Sequence, residues 1–356
     1  MSKYNINGLP WASGIGKDVS DCTTAQEVMQ KAGLDFYVDK CDLVARMPFS
    51  INGNNKFNKL GGKFAKDGDI YIYRDCPKAY GTYRTDTNTP LGLVKDKYEV
   101  IQNIEAFNFF NDAIGLNKAK WDRAGKFGYG HKIFVSAKLP NTITVGKDEI
   151  DNYLVFSNSH DGSSSINILF SPIRVICTNM LNSALNSSHS YIRIKHTTPA
   201  RDKIERGSEI LKIACEHANN AKQLYDSLLT IKMSDEEVMK YIANLQLTEA
   251  ERLALLDYDD KNGYKKLFNS EYLLMERTNI SQRKINQITN MFEYYMDGIG
   301  QKDIAGTAWG AYNAVTGFYS NVANLEKEKR VDSLLYGGAN RNMNKALVSA
   351  VDLKIA

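Results

Sequence analysis

Hydrophobic and polar positions alternate in short runs through the first 200 residues. The segments IYIYRD (70–75), KIFVSAK (132–138), DNYLVFSNS (151–159) and YIRIKH (191–196) each follow this period and are bounded by turn residues, a pattern that predicts strands of a half-buried, mainly antiparallel sheet. Two helices interrupt them. Thr24 and Glu27 are spaced as a capping box that opens a helix closed by Gly33, and IEAFNFFNDAIG (104–115) predicts a second helix ending at Gly115.

Beyond residue 200 the period lengthens to that of helices. Ile210, Ala214, His217, Ala221, Leu224 and Leu228 recur at spacings of four and three, the seam of a helix packed on a partner, with His217 as a core residue. Ser234 with Glu237 and Thr248 with Glu251 form two further capping boxes. Ile285, Ile288, Phe292 and Tyr295 share one helical face, and helices are expected over 303–322 and 340–353. The polar stretches 50–69 and 257–270 predict loops. The fold class is therefore α+β. A mainly antiparallel sheet with helices forms an N-terminal body over 1–200, and an all-helical region follows over 201–356.

The composition, with 43% hydrophobic and 24% charged residues among 356, is that of a globular chain of two or so domains. No apolar run is long enough to cross a membrane. The start MSKYNINGLPW has neither the apolar stretch of a secretory signal nor the basic amphipathic character of a transit peptide, so the cytoplasm is the expected compartment. The five cysteines are scattered without a CxxC pair, which argues for reduced thiols and against a disulfide framework or zinc site. Neither a metal nor a cofactor is expected. GIGK (14–17) has Trp11 where a Walker A loop needs its first glycine and Asp18 where it needs a hydroxyl, and Val19 spoils it as a dinucleotide fingerprint. HExxH, GxSxG and the kinase signatures are missing.

Charge is uneven. Residues 1–200 hold 24 basic and 19 acidic side chains, and 115–200 alone hold 10 and 5, a modest basic face suited to phosphate. Within that stretch, Lys118, Lys120, Arg123, Lys126 and Lys132 interleave with Trp121, Phe127 and Tyr129. Cations that follow phosphates beside rings that stack on bases are a means of holding single-stranded nucleic acid. Arg174 and Arg193 are outlying cations of the same candidate surface. The rival chemistry lies in SNSHDGSSS (157–165) and SPIRVICTNML (171–181), where Cys177 would be a nucleophile with His160 as its base, Asp161 beside it, and Arg174 lowering the thiol pKa. Strand alternation would put Arg174 and Cys177 on opposite faces. The plainer alternative makes Asp161-Gly162 a turn, ties His160 to the backbone and buries Cys177 as a small apolar residue.

Several motifs together resemble the phage/plasmid-like protein family built on domain of unknown function 932. They are LPW (9–11), TTAQEVMQKAGLDFYV (23–38), YRTDTNTPLGLVKDKYEVIQN (83–103), NSHDGSSS (158–165), IRVICTNML (173–181) and GTAWGAYNAVT (306–316). WASGIG (11–16) departs from the family pattern, which has histidine and leucine after the tryptophan. The resemblance implies a phage or mobile-element protein working in the bacterial host cytoplasm beside replication, recombination or defence-evasion genes. The first expectation is a non-enzymatic, nucleic-acid-binding protein of DNA metabolism, such as a single-strand annealing or recombination protein, with single-stranded DNA as the preferred partner. The alternatives are a hydrolase or transferase acting on a nucleotide or protein through His160, Asp161 and Cys177, and an inhibitor that binds a host defence factor through the helical region. A homo-oligomer is left open, and no membrane partner is expected.

Overall fold

The computed structural model describes residues 9, 11, 16–48, 63–64, 70–108, 119–177, 179–181, 191–197, 220–258, 278–323 and 326–353. Its strands are β1 (Gly16–Asp18), β2 (Val38–Pro48), β3 (Lys63–Phe64), β4 (Ile70–Arg84), β5 (Pro90–Lys95), β6 (Lys120–Phe127), β7 (Lys132–Lys138), β8 (Ile143–Val145), β9 (Asp148–Ser159), β10 (Ile166–Arg174), β11 (Asn179–Met180) and β12 (Tyr191–Ile194). The helices are α1 (Ala25–Ala32), α2 (Asp235–Gln246), α3 (Glu249–Tyr258), α4 (Gln282–Asp297), α5 (Ala308–Gly317), α6 (Lys327–Leu335) and α7 (Gly338–Asp352), with helical stretches also at 103–108 and 220–230. The α+β class expected from the hydrophobic period is the class observed.

The larger sheet runs β1-β6-β7-β9-β10-β11, with β8 also on β9 and β12 also on β10, and every pair is antiparallel. Its two faces divide strictly by the two-residue period. Phe134, Tyr153, Val155, Leu169 and Ile173 join a core with Tyr241, Ile288, Trp309, Tyr312 and Leu347 of the C-terminal helices. Ile133, Val135, Leu154, Phe156, Ile168 and Phe170 join a second core with Val28 and Met29 of α1 and with Ile101 and Phe107. Residues before and after position 200 thus share the first core.

This layering corrects the expectation of a half-buried sheet, because β10 and β9 from Asn152 onward are buried on both faces. Asn152, Ser157, Asn158 and Ser159 of DNYLVFSNS do not face water. Asn152 donates from Nδ2 to the Asn141 carbonyl at 2.6 Å, and Asn158 to that of Ile101 at 3.0 Å. Such bonds offset the desolvation that burial would otherwise leave uncompensated.

The local signals match the structure closely. Thr24 and Glu27 cap α1 reciprocally, Gly33 closes it at φ +66°, and Ser234 and Glu237 cap α2. The Glu251 carboxylate accepts from the Thr248 backbone N–H at 2.7 Å, completing the third box. The helix expected over 303–322 starts later, at Thr307, whose hydroxyl accepts from the Gly310 N–H at 3.1 Å. It continues into a π turn at Phe318–Val322. Residues Ile210, Ala214 and His217 of the predicted seam, and 109–115 of the second predicted helix, lie outside the described residues. So do most of 50–69 and 257–270, within which β3 forms and α3 ends.

The smaller sheet has β4 at its centre, β2 along one edge and β3 and β5 along the other. It abuts one end of the larger sheet. There the Thr82 hydroxyl donates to the His160 carbonyl at 2.6 Å. Gly92 packs on the backbone of Asp161 so closely that a Cβ would stand 2.3 Å from the Asp161 Cα, so only glycine fits.

Candidate functional site

Strand register decides which loops meet. Pairing of Lys132 with Ser159 sets the β6–β7 turn beside the loop that follows β9, and the His160 N–H donates to the His131 carbonyl at 2.7 Å. Pairing of Ile166 with Ile194 sets residues 195–197 beside the far end of that loop. The segment after β5 completes the cluster, anchored by Lys40, which donates to the Tyr98 carbonyl at 3.0 Å, and by the Tyr98 hydroxyl, which donates to the Ser159 carbonyl at 2.7 Å.

These segments enclose a cleft of about 510 Å³, within the range of small-ligand sites. The cleft is lined by Lys95, Lys97 and Tyr98 at the end of β5 and just beyond it, by Gly162 to Ser165 of the loop after β9, and by Arg193, Lys195 and His196 at the end of β12 and just beyond it. No Asp or Glu is among the described residues that line it. Arg193 and Lys195 flank Ile194, which is buried in the core, so strand alternation sends both cations away from the core.

The loop beneath is internally braced. Asp161 accepts from the Ser163 N–H at 2.9 Å and from the Ser159 hydroxyl. Burial opposes ionisation of Asp161, but these hydrogen bonds outweigh it and hold the carboxyl below its ordinary value. Gly162 turns the chain at φ +73°, a conformation that favours glycine.

His160 is completely buried. Its Nε2 lies 2.9 Å from Asn103 Oδ1, and the Asn103 amide donates to the Leu34 carbonyl at 2.8 Å. Asn103 Oδ1 only accepts, so the proton is on Nε2. Burial pushes the His160 pKa down to about 3, with His196 adding to the shift, so the ring is neutral at physiological pH. His196 is also held below its ordinary value by burial, against opposing effects of the Glu99 carbonyl and Asp161.

The basic-aromatic segment does not form the surface expected of it. Trp121 is 2% exposed and Phe127 6% exposed, each inside a core, and base stacking by either is overturned. They sit on inward positions of β6, and the two covered faces of the sheet leave them no route to solvent. Tyr129, at the β6–β7 turn, is 74% exposed. Lys126 donates to the Gly33 carbonyl at 3.1 Å, closing the C-terminus of α1, and burial together with Arg84 holds its ammonium below the ordinary value. Lys132 pairs with Asp332 at 3.1 Å and Arg123 with Asp18 at 3.4 Å. Lys120 is exposed at the far end of the sheet, paired in register with Lys138. Lys118 lies outside the described residues.

Arg174 is likewise no phosphate ligand. It is fully buried, donating to Asp148 at 2.6 Å and to the Gly300 carbonyl at 2.7 Å. The Cys177 thiol, buried as well, lies 3.8 Å from its guanidinium. Alternation did not separate the two, because β10 ends at Arg174 and a turn brings Cys177 back. Cys177 and His160 are not brought together. Arg174 pairs with Ile150 and Asn167 with Ser157, so the two residues stand at opposite ends of β9, roughly 25–30 Å apart at the rise of a strand. A proton cannot pass directly between them, and the nucleophile–base pair is overturned.

Of the cations singled out in the sequence that lie among the described residues, Arg193 alone lines the cleft. Lys95, Lys97, Lys195 and His196 were missed, although KDK (95–97) and KH (195–196) carried the signal of clustered cations at strand ends. Among the described residues, no group of three His, Cys, Asp or Glu side chains is placed to hold a metal ion, and no helix is long and apolar enough to cross a membrane.

The architecture is thus an antiparallel sheet covered on both faces, with a cation-lined cleft at one end. The family described as "Domain of unknown function (DUF932)" matches residues 90–348, taking in every segment that lines the cleft, and the chain belongs to that family. No curated protein and no solved structure matches it.

Proposed function

We propose that this protein binds nucleic acid, single-stranded DNA foremost, by holding backbone phosphates in the cleft lined by Lys95, Lys97, Arg193 and Lys195. The observation that carries this reading is a cleft lined by cations from two separate segments, with no Asp or Glu among the described residues that line it. Such a site attracts polyanions at long range and holds them at contact. The exposed Tyr129 ring, at the same end of the sheet, is the stacking surface of this reading. A role in the DNA metabolism of a phage or plasmid, such as strand annealing in the bacterial cytoplasm, belongs to the same proposal and rests on the resemblance at NSHDGSSS and IRVICTNML.

The test is fluorescence-anisotropy titration with labelled single- and double-stranded DNA, on protein freed of co-purifying nucleic acid. Four phosphate contacts on a single strand give a slope of log affinity against log salt of about −3. The double variant Arg193→Glu, Lys195→Glu should weaken binding at least tenfold and flatten that slope. Binding that ignores salt, no binding at low salt, or full affinity in the variant would each refute the proposal.

A further inference from the structure

The imidazole of His196 stands apart from the other groups lining the cleft. Its ring stacks on Tyr98 with centroids 4.6 Å apart at 21°, and its Nδ1 lies 3.2 Å from the Glu99 carbonyl oxygen. Its own carbonyl accepts from the Glu99 N–H at 3.2 Å. The ring is therefore fixed in position and tautomer, since a carbonyl only accepts and Nδ1 must carry the hydrogen. That leaves Nε2 as a lone pair, and this atom is buried without a hydrogen-bond partner in a residue that is 7% exposed and lines the cleft.

Deepening the proposed function, and resting on it for the kind of molecule that carries the anion, we propose that His196 takes up a proton from solvent when a phosphate enters the cleft and donates Nε2–H to it. The charges around the ring give the reason. Burial of the ring opposes a further positive charge, and so, by like-charge repulsion, do the cations lining the same cleft, Arg193 and Lys195 beside it in the chain and Lys95 and Lys97 from the end of β5 and just beyond it. Asp161 and the Glu99 carbonyl favour it, Tyr98 is kept neutral by burial, and His160 close by stays neutral. Held below its ordinary pKa, the empty-cleft ring is neutral at pH 7. A bound phosphate reverses the sign of the local field and supplies the acceptor that a protonated Nε2 needs. Proton and phosphate then bind cooperatively, so phosphate affinity rises as pH falls through the His196 pKa of the complex.

The experiment follows the His196 ring resonance by NMR across pH 5 to 8 in the full chain. Free protein is compared with protein holding sulfate, which does not titrate in this range, or the single-phosphodiester dinucleotide of thymidine. Assignment comes from His196→Gln. We expect each ligand to raise the His196 pKa by about one unit, matched by an affinity that rises as pH falls from 8 and approaches a tenfold gain only below both pKa values. The gain should vanish in His196→Gln, whose amide still donates but does not titrate. A His196 pKa that stays put with ligand bound, failure of both ligands to bind at millimolar concentration, or a pH profile that survives in His196→Gln would overturn the proposal. Sulfate raising the pKa while DNA fails to bind would keep this site and refute the nucleic-acid reading. DNA binding with an unmoved His196 would do the reverse.

Discussion

The two ends of the larger sheet carry similar residues with opposite fates. At one end Arg174 is enclosed, with Asp148, the Gly300 carbonyl and Cys177 around its guanidinium, and Trp309 donates to the second Asp148 oxygen at 2.8 Å. At the other, Arg193 and Lys195 are exposed at a cleft that has no Asp or Glu among its described lining residues. An arginine that meets a buried carboxylate becomes part of the core, where losing its partner costs heavily. One placed at the surface among other cations adds to a local positive potential that attracts anions. The lesson is that a cation's role follows from which carboxylates the fold brings to it.

The largest effect belongs to the enclosed end. Arg174→Met leaves the Asp148 carboxylate buried without its cation, and chemical denaturation should report a loss of about 3–5 kcal/mol. Adding Asp148→Asn should restore part of it, while an unchanged midpoint in Arg174→Met would dissolve the contrast between the two ends. Next come the aromatics. Trp121→Ala should cost about 3–5 kcal/mol by opening a core cavity, whereas Tyr129→Ala should leave stability within about 0.5 kcal/mol and weaken DNA binding. The opposite assignment would return the basic-aromatic segment to the surface.

Acid sharpens the comparison further, because the open end also holds a buried histidine. Burial pushes the folded-state pKa of His160 down to about 3, far below the ordinary histidine value of 6.5. As pH falls through 6.5 the unfolded chain gains a proton that the folded chain refuses, so stability contributed by neutral His160 is present above 6.5 and is lost toward pH 3. By pH 5 this amounts to about 2 kcal/mol. His160→Gln should remove that part of the acid sensitivity, read as the difference between two stability profiles. An identical profile in the variant would mean that His160 is protonated in the folded state. The smallest effect concerns a cation far from the cleft. Lys120→Glu should change DNA affinity less than twofold and stability by under about 0.5 kcal/mol, and a loss as large as that of the cleft variant would move the binding surface to the opposite end.

Much of the fold was legible because its signals are local. The three capping boxes join residues three apart, and the strands follow a two-residue period that nothing distant alters. The position of the cleft was not legible. Its walls are β5 and β12 with the segments after them; register brings residues near 163 and 195 together, and contacts with the segment after β5, such as the Tyr98 hydroxyl on the Ser159 carbonyl, add those near 95. SNSHDGSSS does form the loop at a strand end that its pattern suggests, but it does not meet the RVICTN stretch, which lies at the far end of the same strands.

By itself, then, the sequence determined the α+β class, the capped helix starts and several of the strands, because caps and hydrophobic period act between neighbours along the chain. Only the tertiary structure decided which cations are available. Lys126 is engaged by Gly33, Lys132 by Asp332 and Arg174 by Gly300 as well as Asp148. Those partners are far away along the chain, and burial and ion pairing depend on distance in space, which a list of residue types does not contain.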